Sequence, residues 1–258
     1  MRGLKFFLKT LPAVAFIAVC FSMLFLEFPL KPGMKNRKCS IDIIHNEKKV
    51  QYKKIGLKSQ VSDWYVLSDE LRLGSRKSVG KNNVMQFKSE LAHYAHFIKT
   101  NNITSYLELG ANTGRLVAWL HENNNFEKVA AVSLHNMESV DNHTKSVPIQ
   151  TFIGSSTSTE YHNWRKSLGH FDLVLIDGDH SYEGCLADYE YEKSMSQIFI
   201  AFHDTSNKKY TGVREVWENH VNGFKFEFVN TDPNDPAKFK DKYISECGIG
   251  IVLNQLAQ

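Results

Sequence analysis

A chain of 258 residues, 42% hydrophobic and 23% charged, is long enough for one sizeable core and too short for two large domains. Its net charge of +3 owes much to Lys and Arg clusters before residue 60, and no basic face interleaved with aromatics marks a nucleic-acid binder. The cysteines, Cys20, Cys39, Cys185 and Cys247, lie far apart with no C-x-x-C pair, which argues against a disulfide scaffold and against zinc held by thiolates.

The chain opens with a basic segment, 1–10, carrying Arg2, Lys5 and Lys9, followed by the apolar run Leu11 to Leu26, LPAVAFIAVCFSMLFL. That run falls between a signal-peptide core of about 7 to 15 residues and a comfortable membrane span of about 20. With Glu27 and Phe28 as an interfacial end, residues 11–28 read as a single-pass transmembrane signal-anchor. Ala18-Val19-Cys20, the nearest small-x-small match, lies inside the apolar run; cleavage and secretion is the alternative. Lys31, Lys35, Arg37 and Lys38 beyond the run leave orientation weakly determined; the default for a short basic N-terminus puts the domain in the ER or Golgi lumen. The N-x-T sequons at Asn102 and Asn142 are compatible with a lumenal domain. Residues 29–60, rich in Lys with Pro29, Pro32 and Gly33, read as a stem, and residues 61–258 as the folded domain.

From Asn83, the apolar residues Val84, Phe87, Leu91, Tyr94, Ala95 and Ile98 recur at three- and four-residue steps, which predicts a helix with one face toward a core. Ser105 to Leu109 reads as a short strand entering Gly110-Ala111-Asn112-Thr113-Gly114, and Arg115 to Leu120 has a helical period. Further strands are expected at 128–134, 149–153, 171–176, 197–202, 224–229 and 248–253, with helices at about 158–168, 181–194 and 211–221 and a weak one after 134. This alternation predicts an α/β fold: a seven-stranded, mostly parallel sheet with helices on both faces. Residues 231–247, with Pro233 and Pro236, hold no crossover helix, so a hairpin-like return makes the last strand antiparallel.

Chemistry concentrates at two strand ends. In Phe171 to Gly184, FDLVLIDGDHSYEG, an apolar run stops at Asp177, Asp179 and His180; in Gln197 to Thr205, QIFIAFHDT, another stops at His203 and Asp204. Parallel strands covered on both faces read as unbroken apolar runs, and ligands bind beyond their carboxyl ends. Two such ends in one chain predict one site. The blander reading makes Asp177 or Asp179 helix-start acids beside the N-cap Ser181, Asp204 a turn residue, His180 a loop-ordering hydrogen bonder, and Gly110 and Gly114 packing glycines. Cys185, at helical spacing with Leu186 and Tyr189, reads as core.

Glu108-x-Gly110-x-x-x-Gly114 resembles the first motif of the class I S-adenosylmethionine-dependent methyltransferases. IDGDHSYEG, the strand ending in HDT, and Tyr210-Thr211-Gly212-Val213-Arg214 opening a helix resemble the subgroup of macrocin O-methyltransferase-like and cephalosporin-hydroxylase-like proteins. Together they span roughly residues 84–254. The resemblance implies a Rossmann-like sheet and S-adenosyl-L-methionine as cofactor, bound about Glu108, Gly110, Asn112, Gly114, Ser133, Ser155 and Asp177. Asn112 stands where many relatives have Gly, and Ser133 where most have an acid. By the same resemblance Asp177 and Asp204 fall at positions for Mg²⁺, with Thr205 where relatives often carry Asn. His180 falls where catechol-type relatives carry a catalytic lysine, which makes it the candidate base, with His203 the second candidate. The implied reaction is O-methylation of a small-molecule or glycan hydroxyl. Its rivals are a catalytically silent binding module and a metal-dependent hydrolase or hydroxylase.

Overall fold

Strand β1 (Ser105–Leu109) lies inside the main sheet of this computed structural model, which describes residues 86–141, 145–195, 198–230 and 247–254 and the strand segments 45–46, 49–50, 54–55, 72–73 and 83–84. The other main strands are β2 (Lys128–Ser133), β3 (Ile149–Ile153), β4 (Leu173–Ile176), β5 (Phe199–His203), β6 (Lys225–Phe228) and β7 (Ile249–Leu253). Their order is β3-β2-β1-β4-β5-β7-β6, and the two-residue segment Lys54–Ile55 pairs in parallel with β6 at the edge. The pairs β1–β2, β2–β3, β1–β4 and β4–β5 are parallel, whereas β7 runs against both β5 and β6, as expected for the last strand. The strand order reverses between β1 and β4, the kind of switch point at which open α/β sheets bind ligands.

The unbroken apolar strands are explained by two cores. On β4, Leu173 and Leu175 join a cluster with Tyr94 and Leu91 of α1 (Lys88–Thr100) and Leu116 and Trp119 of α2 (Arg115–Asn123). Val174 and Ile176 face the opposite cluster, with Tyr161 of α3 (Thr159–Leu168), Cys185 and Tyr189 of α4 (Tyr182–Ser194) and Trp217 of α5 (Thr211–Asn219). Neither face of β4 tolerates a polar side chain, since each buried Leu, Ile or Val contributes roughly 1.5–3 kcal/mol. The second face is also pinned by a fully buried pair, Arg165 of α3 and Glu192 of α4, at 2.9 Å, with the Tyr161 hydroxyl donating to the same carboxylate.

The structure departs from the sequence expectations in three places. The weak helix after 134 is a turn: the Val140 N–H donates to the Met137 carbonyl and the Ser139 N–H to Thr113, so this stretch packs on the loop before α2 instead of coiling. The first helix begins at Lys88, and Asn83–Val84 pairs with Arg72–Leu73 instead. Part of the expected stem takes strand form, His45–Asn46 against Lys49–Val50 and Lys54–Ile55 on the sheet edge. Among the described residues no helix is long and apolar enough to cross a membrane, and the expected span 11–28 lies outside them.

One contact joins the two halves of the sheet at its functional edge. The Asp177 N–H donates to the Leu109 carbonyl at 2.9 Å, and Gly110 leaves β1 with φ +89. A Cβ on Gly110 would lie 2.0 Å from the Asp177 carbonyl oxygen, with backbone on the far side that has nowhere to go. Gly110→Ala is therefore expected to destabilise the fold by about 2–4 kcal/mol, left-handed strain plus overpacking, measured by urea unfolding. Gly169→Ala isolates the strain alone, since Gly169 has φ +68 with nothing within 4 Å of its Cβ position. Equal losses at the two glycines would show that the close approach to Asp177 carries no weight.

Candidate active site

Asp177 and Asp204 are the first residues beyond β4 and β5, and parallel pairing of those strands brings them side by side. Asp177 Oδ1 lies 3.1 Å from His203 Nδ1 and 3.4 Å from His180 Nε2, and Asp177 Oδ2 accepts from Gln86 Nε2 at 3.4 Å. Asp204 Oδ2 lies 2.9 Å from His180 Nε2 and 3.3 Å from His203 Nδ1, while Asp204 Oδ1 accepts from Asn207 Nδ2 at 2.7 Å. Asp204 holds a left-handed φ of +64, unusual for a residue other than glycine and tolerable for Asp in a turn.

His180 returns over this pair because the loop before α4 is tightly organised. The Asp179 carboxylate accepts from the Ser181 N–H and the Ser181 hydroxyl accepts from the Gly184 N–H, so these two residues start the helix. Tyr210, just before α5, stacks on the His180 ring at 4.2 Å between centroids and 25° between planes. Gly212 lets α5 close on the same loop: a Cβ there would lie 2.4 Å from the Tyr182 nitrogen.

The electrostatics follow from charges facing one another in a largely dry place. Burial alone would raise both carboxyls, but the His203 and His180 imidazoles outweigh it and hold Asp177 and Asp204 below the ordinary carboxylate range. Burial would depress the imidazoles, yet contact with Asp177 and Asp204 raises His180 from 6.5 to about 9 and His203 well above its usual value. The two imidazoles differ in access. His203 is 2% exposed, whereas the His180 side chain is 30% exposed, so only His180 can meet a substrate.

Behind His203 lies Glu90 of α1, fully buried. Its Oε1 accepts three backbone N–H bonds, from Asn230, Cys247 and Gly248, and burial nonetheless raises its carboxyl to about 7. Glu90 occupies a position three after Phe87 and four before Tyr94, on the buried face that the periodicity outlined, yet the count of apolar residues passes over it. Gln86 carried no motif of its own, Asn207 was marked only by the turn chemistry after HDT, and Tyr210 stood in the motif that opens α5 without a role beside His180.

The glycine loop adjoins this cluster through Gly110 and Asp177. Gly110 and Ala111 donate N–H bonds to the Val132 carbonyl, Asn112 turns left-handed at φ +52 and is exposed, and Gly114 caps α2 at φ +77 against Val140. Glu108 is buried beneath the loop and accepts from the Tyr106 hydroxyl; burial, then the Asp177 charge, raises its carboxyl to about 8. The Ser133 hydroxyl, buried at the end of β2, donates to the Asn112 carbonyl and accepts from the His135 N–H, so it holds the loop in place. Ser155, past the end of β3, pairs with the Thr157 hydroxyl at an exposed turn. Thr205 turns away from the aspartates: it is buried and its hydroxyl donates to Glu227 of β6, so it is not placed as a ligand of a cation between them. The residues that the structure brings together are thus Asp177, His180, His203 and Asp204, with the Glu108-to-Gly114 loop next to them.

The donor set fits a divalent cation, since one ligand atom from each of two carboxylates and two imidazoles converge within 4.8 Å of one another. The loop also suits a zwitterionic, methionine-like group. The N-terminus of α2 has no side-chain cap and no acid in its first turn, and Arg115 there has a buried Nε without a hydrogen-bond partner, all of which favours a carboxylate. Glu108, its carboxyl raised, would ionise beside an ammonium group.

No protein-family model matches this sequence, and no curated protein matches it. Solved structures do resemble its fold. An O-methyltransferase from Bacillus cereus in complex with SAH aligns over 77% of this chain and 92% of that one, at 10% identity and a TM-score of 0.50. The O-methyltransferase TomG from Streptomyces achromogenes, involved in tomaymycin synthesis and solved with SAM, aligns over 77% and 90% at 11% identity and a TM-score of 0.49. MycE methyltransferase from the mycinamycin biosynthetic pathway, solved with Mg and SAH, covers 52% of this chain and 40% of its own at 17% identity and a TM-score of 0.39. The first of these shows the fold to be the Rossmann-like methyltransferase fold.

The raised His180 pKa has a consequence for stability in protein stripped of divalent cations. A pKa raised from 6.5 to about 9 gives a stabilising contribution that is complete below about pH 6.5 and lost as pH climbs through 9. The urea midpoint should fall between pH 7 and 9.5, and fall less in His180→Asn. An identical decline in both proteins would contradict the pairing of His180 with the two aspartates.

Proposed function

We propose that this chain is an S-adenosylmethionine-dependent methyltransferase that methylates a hydroxyl of a small molecule or glycan with the help of a divalent cation. One observation supports this above the others: in a methyltransferase fold, the acid–histidine cluster of β4 and β5 abuts the glycine loop of β1 through the contact between Gly110 and Asp177. S-adenosylmethionine would supply an electrophilic methyl group on a sulfonium. The chain's own task is then to hold a hydroxyl in line and remove its proton.

The residues divide that task. Glu108, the backbone from Gly110 to Gly114, and Arg115 would hold the methionine part. Ser133 would act by fixing the Asn112 turn, and Ser155 lies toward the far end, where an adenine would reach. Asp177 and Asp204 would receive the cation, which makes a bound hydroxyl easier to deprotonate. His180, whose ring is partly exposed, would take the proton once a cation between the aspartates has offset the charge that keeps its own imidazole protonated, steadied by Tyr210 on its ring face. The expected span 11–28 would tether this domain to a membrane, with the lumen as its compartment.

Calorimetric titration of S-adenosylmethionine into the full-length protein in mild detergent is the direct test. Binding in the micromolar range is expected, and no binding at millimolar cofactor would sink the reading. With an accepting substrate found in a hydroxyl library, His180→Ala should slow transfer by about 10²–10⁴-fold, the usual range for a general base, with cofactor affinity unchanged. Cofactor binding without turnover across the library would favour a silent binding module. Transformation of a substrate with metal but without the cofactor would favour a hydrolase or hydroxylase. For the tether, protease added to sealed vesicles should leave the domain intact; digestion without detergent would place it on the outer side.

A further inference from the structure

His203 presents its two ring nitrogens to two separate acidic groups. Nδ1 lies 3.1 Å from Asp177 Oδ1 and 3.3 Å from Asp204 Oδ2. Nε2 is buried with no aligned hydrogen-bond partner, on a ring whose nitrogen, the Glu90 carboxylate and Cys247 Sγ gather within 4.8 Å of one another. Glu90 has a matching loose end: Oε1 carries three backbone N–H bonds while Oε2, buried, has none. An unpaired imidazole nitrogen and an unpaired carboxylate oxygen in one buried cluster, with the Cys247 thiol beside the ring, are costly, of the order of 1–3 kcal/mol per group, unless the pair has a role.

That role is familiar from metal chemistry. A histidine bound to a metal through one nitrogen almost always gives its other N–H to a carboxylate or carbonyl, which fixes the tautomer and makes the bound nitrogen more basic. With a proton on Nε2 toward Glu90, the Nδ1 lone pair opens between the two aspartates. Donors about a six-coordinate cation with bonds of ~2.1 Å stand ~3 Å apart, close to the spacings found here. Two of the oxygen side chains beyond the aspartates are engaged elsewhere, Thr205 on Glu227 and Asn207 Oδ1 by the Lys209 N–H, which leaves Gln86 Oε1, buried and unpaired beside Asp177, as the one further side-chain oxygen named there.

We propose that His203 is an inner-sphere nitrogen ligand, braced by Glu90, and that the cation held by Asp177, His203 and Asp204 is a divalent transition metal, not Mg²⁺. Imidazole suits zinc, iron, nickel and copper, whereas carboxylate and water alone suit magnesium. This rests on the cation site of the reading above and narrows it, and it turns a candidate base into a ligand. His203 at 2% exposure could serve only the second role.

The test uses full-length protein stripped with EDTA. After loading with Mn²⁺, pulsed electron paramagnetic resonance should show ¹⁴N coupling that persists in His180→Ala; no coupling, or coupling lost in that variant, would overturn the assignment. In calorimetry, Co²⁺ should bind more tightly than Mg²⁺, and Glu90→Gln should weaken Co²⁺ by about 10–100-fold while changing Mg²⁺ less than ~3-fold. Equal losses for both ions, or Mg²⁺ bound as tightly as Co²⁺, would remove the case. If Glu90→Gln fails to fold, as judged by circular dichroism, the wild-type ¹⁴N measurement still decides. Cofactor titration on the same sample separates the two readings: cofactor bound without Mn²⁺ overturns this proposal alone, and ¹⁴N coupling without cofactor binding overturns only the methyltransferase.

Discussion

The bare Cα of Gly110 against the Asp177 carbonyl is the constraint on which the site depends. It seats the carboxyl end of β1 against that of β4, so the glycine loop and the acid–histidine cluster share one wall. Each flanking feature follows from that seating. The loop must curl left-handed to clear β4, which puts Asn112 outside and Gly114 at the head of α2. Asp177 has its backbone fixed before its side chain makes any contact, so its carboxylate meets His203 and His180 without a further ordering cost to the main chain.

The second constraint is electrostatic. Asp177, Asp204 and His203 are largely removed from water, and a buried ion left without its partner costs about 3–5 kcal/mol. The site meets this by setting two carboxylates against two imidazoles, so that charge balances inside the cluster. Removing either aspartate leaves an imidazolium facing too little charge, and the fold would suffer along with any chemistry. The balance also explains why Asp204 persists at positive φ. Asn207, Asp204 and the histidines form a closed set, and a local strain of about 1–3 kcal/mol is smaller than the loss on breaking it.

The sheet was legible in the sequence because its strands are buried on both faces, which makes them apolar runs that stop at chemistry. LVLI before Asp177 and FIAFH before Asp204 announced both strand ends, while the switch point between β1 and β4 emerged only from the strand order. The run after 134 misled because Met137 and Val140 are core residues on a turn, and a short apolar pair cannot tell a turn from a weak helix. Gly110 could be read as a ligand-facing or a packing glycine, and only the distance to Asp177 gives it a packing role. The partner of Thr205, Glu227, belongs to a strand more than twenty residues later, and the alternation of FKFEF gave no sign that its polar face is also buried.

Glu90 shows most clearly what periodicity conceals. A helix buried on one face is found by its apolar residues, so a carboxylate on that same face reads as a gap. Three backbone N–H donors converge on it from Asn230, Cys247 and Gly248, on either side of the β6–β7 connection. The carboxylate therefore ties α1 to the ends of β6 and β7 and at the same time faces the inner edge of His203. A neutral side chain could keep the first function through its remaining hydrogen bonds. A carboxylate with one oxygen left over is better explained by the second, because Glu90 and the buried His203 ring offer ligand atoms within 4.8 Å of one another.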